Sequence, residues 1–155
     1  MSDNPRQDRR IDGYTAALGV FGSGIAVSAA LGWLRGDRVP QHYAVRDLVL
    51  GAVATHKFAR LLSKDAVTMP LRAPFTTYEE PAGSGEVNES PRKSHPSHTI
   101  GELVTCPFCL TPWVATAYVA ALVLAPRLAR TWAAAGSIIG ASDTLQHAYA
   151  RLETG

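Results

Sequence analysis

Four apolar segments, separated by polar or broken stretches, organise this chain of 155 residues. The first, Tyr14 to Leu34, contains no charged side chain. At the rise of an α-helix it spans about 31 Å, close to the hydrocarbon thickness of a bilayer. A soluble helix of that length carries a polar stripe, and this one has only Ser, Thr and Gly to form one. A transmembrane helix is the expectation. Arg6, Arg9 and Arg10 stand before it like the basic region of a signal peptide, but the apolar run is too long for one. The small-residue site Val27-Ser28-Ala29 also lies inside the run and not after it, so a retained helix is expected.

The second segment, Ala44 to Leu62, has an apolar centre from Leu48 to Ala54 and carries Arg46, Asp47, His56, Lys57 and Arg60. The third runs from about Trp113 to Ala125 and extends back toward the cysteines. The fourth, Trp132 to Ala150, is interrupted by Asp143 and His147. A charge at the centre of a span costs several kcal/mol, about 2.5–3.5 on insertion scales. Segments one and three therefore read as spans on their own, whereas two and four need neighbouring helices to cover their polar groups. The expected fold is all-α: a polytopic membrane protein of about four transmembrane helices. The helical membrane domain is placed at 14–150, between polar tails at 1–13 and 151–155.

Ser63 to Thr105 is polar and reads as one long loop on the cytoplasmic side. Its middle, Pro81 to His98, is rich in Pro, Gly, Ser and charge without periodicity, so a flexible segment is expected there. Met69 to Phe75 combines two prolines with apolar residues, and an extended segment along the membrane surface or against helix ends is expected. With four spans, the N-terminus, the long loop and the C-terminus share a side. That side holds Arg6, Arg9, Arg10, Lys64, Arg72, Arg92, Lys93 and Arg151, against Arg35, Arg38, Arg127 and Arg130 on the other. The excess favours N-in, C-in topology.

Charge changes this picture little. A net charge of +2, without a basic cluster interleaved with aromatics, gives no nucleic-acid surface. Two cysteines cannot build a disulfide framework. The lipid bilayer is the expected partner, with a second copy of the chain or another membrane protein as further candidates.

Three groups of residues carry candidate chemistry. Asp143 and His147 share a helix face with Gly136 and Gly140, so small residues would admit a neighbouring helix and the polar pair would face into the bundle. Lys57 or Arg60, at similar depth, is the natural partner of Asp143. The ridge reads either as an ion pair pinning two helices or as a proton or ion pathway. Gly24, Ser28 and Gly32 form a similar small ridge in the first segment, read as packing. His56, Lys57 and Arg60 cluster near the inner end of segment two, as snorkelling cations or as ligands for anionic headgroups. The third group is Cys106-Pro107-Phe108-Cys109. Pro107 suits the first turn of a helix, which puts Cys106 near the N-cap, where dipole and free N–H groups favour a thiolate. The pair reads as a buried corner, as half of a zinc site completed by His95 and His98 or by a second copy, or as a redox dithiol.

The runs Ala54-Thr55-His56-Lys57-Phe58-Ala59-Arg60, Lys64-Asp65, Pro70-Leu71-Arg72-Ala73-Pro74-Phe75 and Gly101 to Cys109 with Trp113, together with Ser142-Asp143 and Gln146, resemble a bacterial family of small membrane proteins. That family carries only the domain-of-unknown-function number thirteen-sixty. The resemblance covers about Ala44 to Ala150. It implies that Pro70 to Phe75 and the CPFC segment belong to a shared pattern and that Thr68 to Phe75 is an ordered element beside the cysteines, while Pro81 to His98 is peculiar to this chain. It implies no substrate. The expected function is a structural or partner-binding role in the membrane. The alternatives are an enzyme with Cys106 as nucleophile and Arg72, Lys57 or Arg60 holding an anionic substrate, a metal-stabilised module, and a small transporter built on Asp143 and His147.

Overall fold

The computed structural model describes residues 5–93 and 97–153. Four long helices dominate it: α1 (Pro5–Arg35), α2 (Val45–Lys64), α5 (Pro107–Leu124) and α6 (Pro126–Glu153). Between α2 and α5 lie the short helix α3 (Met69–Arg72), a hairpin of β1 (Thr76–Gly83) and β2 (Glu86–Pro91), and helix α4 (Ser97–Thr105).

Helix α1 stops where Gly36 adopts φ of 71°. The Gly36 N–H then donates to Trp33 O and the Asp37 N–H to Gly32 O, at 3.1 and 2.9 Å. This paired closure satisfies two of the last free carbonyls, and only glycine takes the left-handed conformation without strain.

The bundle is held by small residues. The buried face of α2 comprises Asp47, Gly51, Ala54, Thr55, Ala59 and Ser63, and that of α6 comprises Ala129, Ala133 and Gly136. A Cβ on Gly136 would lie 2.8 Å from the Phe58 ring and 2.9 Å from Ala54 Cβ. One on Gly51 would lie 2.2 Å from the Tyr118 ring. The glycines let the backbones approach, and the approach brings polar groups within reach. Ser137 Oγ donates to Leu50 O, and Tyr118 OH to Asp47 O, both at 2.9 Å. Arg130 pairs with the buried Asp47 carboxylate at 2.9–3.2 Å. Helix α1 rests on α5 through an edge-to-face contact of Phe21 and Trp113 (5.0 Å between centroids), and its Gly13 lies against Thr99 of α4.

Ile11–Arg35 within α1 and Pro107–Leu124 are long and apolar enough to cross a membrane, and only 6% of each apolar stretch is buried. Helices α2 and α6 have the length, but their charges break the apolar runs.

The all-α expectation is corrected by the hairpin, which also replaces the expected flexible segment as far as Pro91. Pro81 pairs with Val87, and Thr76 with Pro91. Gly83, Ser84 and Gly85 all have positive φ and turn the chain. Bulges at Glu79 and Ala82 bend β1, a setting that tolerates the missing N–H of Pro81. No alternation of apolar residues signals these strands, because Val87 is the one apolar side chain buried in them. Met69–Phe75 is likewise not extended. Residues 66–68 form a 3-10 turn leading into α3, where Pro70 occupies the first turn and forfeits no helix bond.

The small ridge of α1 packs only in part: Gly32 is buried and faces Leu124 of α5, whereas a Cβ on Gly24 would meet nothing within 4 Å. Gly136→Leu is expected to destabilise the detergent-solubilised protein by about 1–3 kcal/mol through overpacking. Gly24→Leu is expected to change stability by about 0.5 kcal/mol or less. Parallel thermal unfolding of the two variants checks both.

Candidate functional site

The ionisable residues singled out as candidates gather at the end of the bundle that carries the hairpin. Helix α2 finishes there, and its last carbonyls have no partner within the helix. Arg72 of α3 supplies one. Its guanidinium donates to Leu62 O at 2.9 Å, Asp65 O at 3.1 Å and Thr68 Oγ1 at 2.6 Å. Its Nε pairs with Glu89 of β2, whose other oxygen accepts from Thr76 Oγ1 at 2.8 Å. Arg72 is 2% exposed, so this network is nearly dry. A cation at the negative end of α2 also complements its dipole. Four of the five guanidinium N–H groups are thereby committed, and Arg72 holds the fold together instead of facing an anionic substrate.

Lys57, Arg60, Asp143 and His147 line a cleft of about 880 Å³ between α2, α6 and the hairpin turn, together with His56, Asp65 and Glu86. Lys57 Nζ lies 2.8 Å from Asp143 Oδ2 and 3.3 Å from Asp65 Oδ2. Arg60 makes a two-pronged pair with Glu86 at 2.6 and 2.9 Å. Gly140 above this cluster lets α6 approach Val53 and Lys57. The ridge of Gly136, Gly140, Asp143 and His147 thus faces α2, and of the two cations considered for Asp143 it is Lys57 that reaches it. The cleft offers opposite charges already matched to one another, with two imidazoles at its edge.

The cysteines lie elsewhere, at the junction of α4 and α5. Cys106 is the N-cap of α5, and its sulfur accepts the Cys109 N–H at 3.3 Å. Both thiols are free and half-buried. Burial opposes ionisation of Cys106, but hydrogen bonds from the Cys109 thiol and from the Cys109 and Phe108 N–H groups, with the charge of Lys64, hold its pKa below the ordinary thiol value.

Of the two histidines considered as metal ligands, His95 lies outside the described residues. His98 opens α4, with Nδ1 3.1 Å from Arg92 O and Nε2 3.5 Å from Glu102 Oε1. Cys106 lies eight positions further along the chain, about 12 Å at the rise of a helix. Among the described residues no group of three or more His, Cys, Asp or Glu is placed to hold a metal ion.

Several residues of these networks carried no sequence signal. Glu89 and Glu86 lie in a stretch without periodicity, and Thr68 and Thr76 resemble any loop threonine. Asp47 and Arg130 carried a weak one, as opposite charges at facing ends of two marginal helices.

The model of a family described as "Protein of unknown function (DUF1360)" matches residues 50–149. The match runs from within α2 to within α6 and includes Arg72, the cleft residues of both helices and the CPFC corner. No curated protein and no solved structure matches the chain.

Arg72→Leu is expected to cost about 3–5 kcal/mol, because it strands Glu89 in a buried site. Arg72→Lys is not expected to restore this, since an ammonium cannot reproduce the forked geometry. The double variant Arg72→Leu/Glu89→Leu is expected to unfold less readily than Arg72→Leu alone. Denaturant titration of the three variants checks the order.

Proposed function

The chain belongs to this family of proteins of unknown function, and from its architecture we propose that it is a small multi-pass membrane protein with a structural or partner-binding role. In this reading α1, α2, α5 and α6 cross the bilayer, and the hairpin with α3 and α4 forms a polar cap on the cytoplasmic side.

The observation that carries the reading is the exposure of apolar surface on helices long enough to span. A soluble protein buries such helices, yet only 6% of each apolar stretch in α1 and α5 is buried, with α1 mostly exposed and α5 mostly half-buried. Leu18, Val27, Trp33, Ile138 and Leu145 are all exposed. Exposed apolar surface on this scale supports an apolar surrounding for these helices.

Helices α2 and α6 join the spans by pairing their charges with each other. Asp47 meets Arg130 near one end and Lys57 meets Asp143 near the other, so neither helix carries an isolated charge into lipid. The two ends also differ, which supports an even number of crossings. Tyr14 near the start of α1 bonds Glu102, and the end of α2, the start of α5 and the second half of α6 gather at the hairpin. The excess of Lys and Arg on that side supports placing the cap inside. The cap presents the cleft, lined by both signs of charge, as the surface that receives a partner.

Carbonate washing of membranes is expected to leave the protein in the pellet, and release to the supernatant would contradict the reading. In intact cells a membrane-impermeant maleimide is expected to spare Cys106 and Cys109, and to label them once the membrane is permeabilised. Labelling before permeabilisation would invert the proposed orientation.

A further inference from the structure

Cys106 occupies a position that helices normally give to Ser, Thr, Asp or Asn. Its sulfur stands where the first free N–H groups of α5 converge, and Pro107 at the first helical position contributes none. A neutral thiol is a poor acceptor for such donors, whereas a thiolate is a strong one. Cys109 lies three residues later, one turn along, so its side chain returns to the same side and its thiol bonds Cys106. Residues so spaced have Cβ atoms about 5–6 Å apart, whereas a disulfide bridges Cβ separations of about 3.5–4.5 Å, so closing the pair needs the first turn to tighten by about 1–2 Å. Cys106 keeps an extended backbone (φ −106°, ψ 109°), outside the helix. Pro112 removes the helix bond to Phe108 O, which loosens the turn that would have to adjust. Phe108, between the two cysteines, is 84% exposed.

We propose that Cys106 and Cys109 form a thiol–disulfide exchange centre, with Cys106 as the attacking thiolate and Cys109 as the resolving thiol, acting on disulfides carried by a partner. The Cys106 thiolate attacks one sulfur of the incoming disulfide, forms a mixed disulfide and expels the other sulfur as a thiolate, which takes a proton. Cys109 then loses its proton to solvent, and its sulfur attacks Cys106 Sγ. The Cys106–Cys109 disulfide forms, and the second partner thiolate leaves. The partner disulfide is reduced to two thiols by the two electrons that the protein dithiol gives up, and the reverse sequence oxidises a partner dithiol. The lowered pKa of Cys106 supports its role as attacker, since the thiolate is the nucleophile. The groups acting on the pair are Lys64 from α2, which favours the Cys106 thiolate, and Glu102 from α4, which faces Cys109. This chemistry goes beyond the membrane reading and does not depend on the orientation of the cap.

The test uses the purified full chain in detergent micelles, equilibrated with reduced and oxidised glutathione in varying ratio, acid-quenched, alkylated and weighed intact. The expected result is a reversible loss of both thiols together, to a species lighter by two hydrogens. Cys109→Ala is expected to hold glutathione on Cys106, and Cys106→Ala is expected to take it up at least about tenfold more slowly at pH 7. Both thiols remaining free across the series, or capture of glutathione at equal rates by the two variants, would overturn the proposal. The titration of the unaltered chain decides the matter if either variant misfolds.

Discussion

The buried guanidinium of Arg72 is the constraint on which the polar end of this protein depends. A charge only 2% exposed must find a counter-charge and a partner for its N–H groups, and it finds both in separate elements. The carbonyls come from the end of α2 and the carboxylate from β2, so the hairpin is clamped to the helix end. The clamp also fixes the residues C-terminal to the hairpin. Arg92, just after β2, donates through its backbone to Phe75 O and through its side chain to Thr76 O and Ala73 O. A Cβ on Gly101 would lie 2.6 Å from Phe75 O, so α4 packs directly on this base. The position of α4 places Cys106 at the head of α5. The other end of the hairpin reaches the cleft, where Glu86 holds Arg60 and Gly85 O accepts the Ala66 N–H. One ion pair thus positions both the cleft and the cysteine corner.

The bundle beneath the cap obeys a different rule. Between its helices there is little large apolar packing: Ala, Gly and Ser line the contacts, and large apolar side chains point outward. This inverts the arrangement of a soluble helical domain and suits helices solvated by lipid, where close backbone contact and interhelical hydrogen bonds replace a hydrophobic core. The ion pairs between α2 and α6 lie toward the two ends of their contact, with glycine and alanine between them. Helix α1 stands apart from this compact triad, touching mainly α5 and α4, and lies outside the residues matched by the family model.

The long helices were legible because their signal is local and collective: uncharged runs, spacing of small residues on one face, a proline at a first turn. The ridge from Gly136 to His147 and the N-cap position of Cys106 come from such rules. The hairpin was not legible. Its strands owe their pairing to a turn of three positive-φ residues and to one buried carboxylate, Glu89, whose partner lies 17 residues earlier. Nothing within the strand sequence distinguishes that carboxylate from a solvated one. The same long-range dependence hid the role of Arg72, which reads in the sequence as a loop cation that could hold an anionic substrate. Gly24 failed in the opposite sense, since a small residue permits close approach without ensuring that a neighbour is there.

The central claim is that the outward apolar faces meet lipid, and the chain carries its own reporters. Trp33 and Trp132, near the end of the bundle opposite the cap, are 80% and 63% exposed. Their fluorescence can be followed in a Trp113→Phe variant reconstituted into vesicles, with phospholipids brominated on the acyl chains or with aqueous iodide as quencher. Strong quenching by the brominated lipid and weak quenching by iodide is the predicted result. Strong quenching by iodide with none from the lipid would contradict the account.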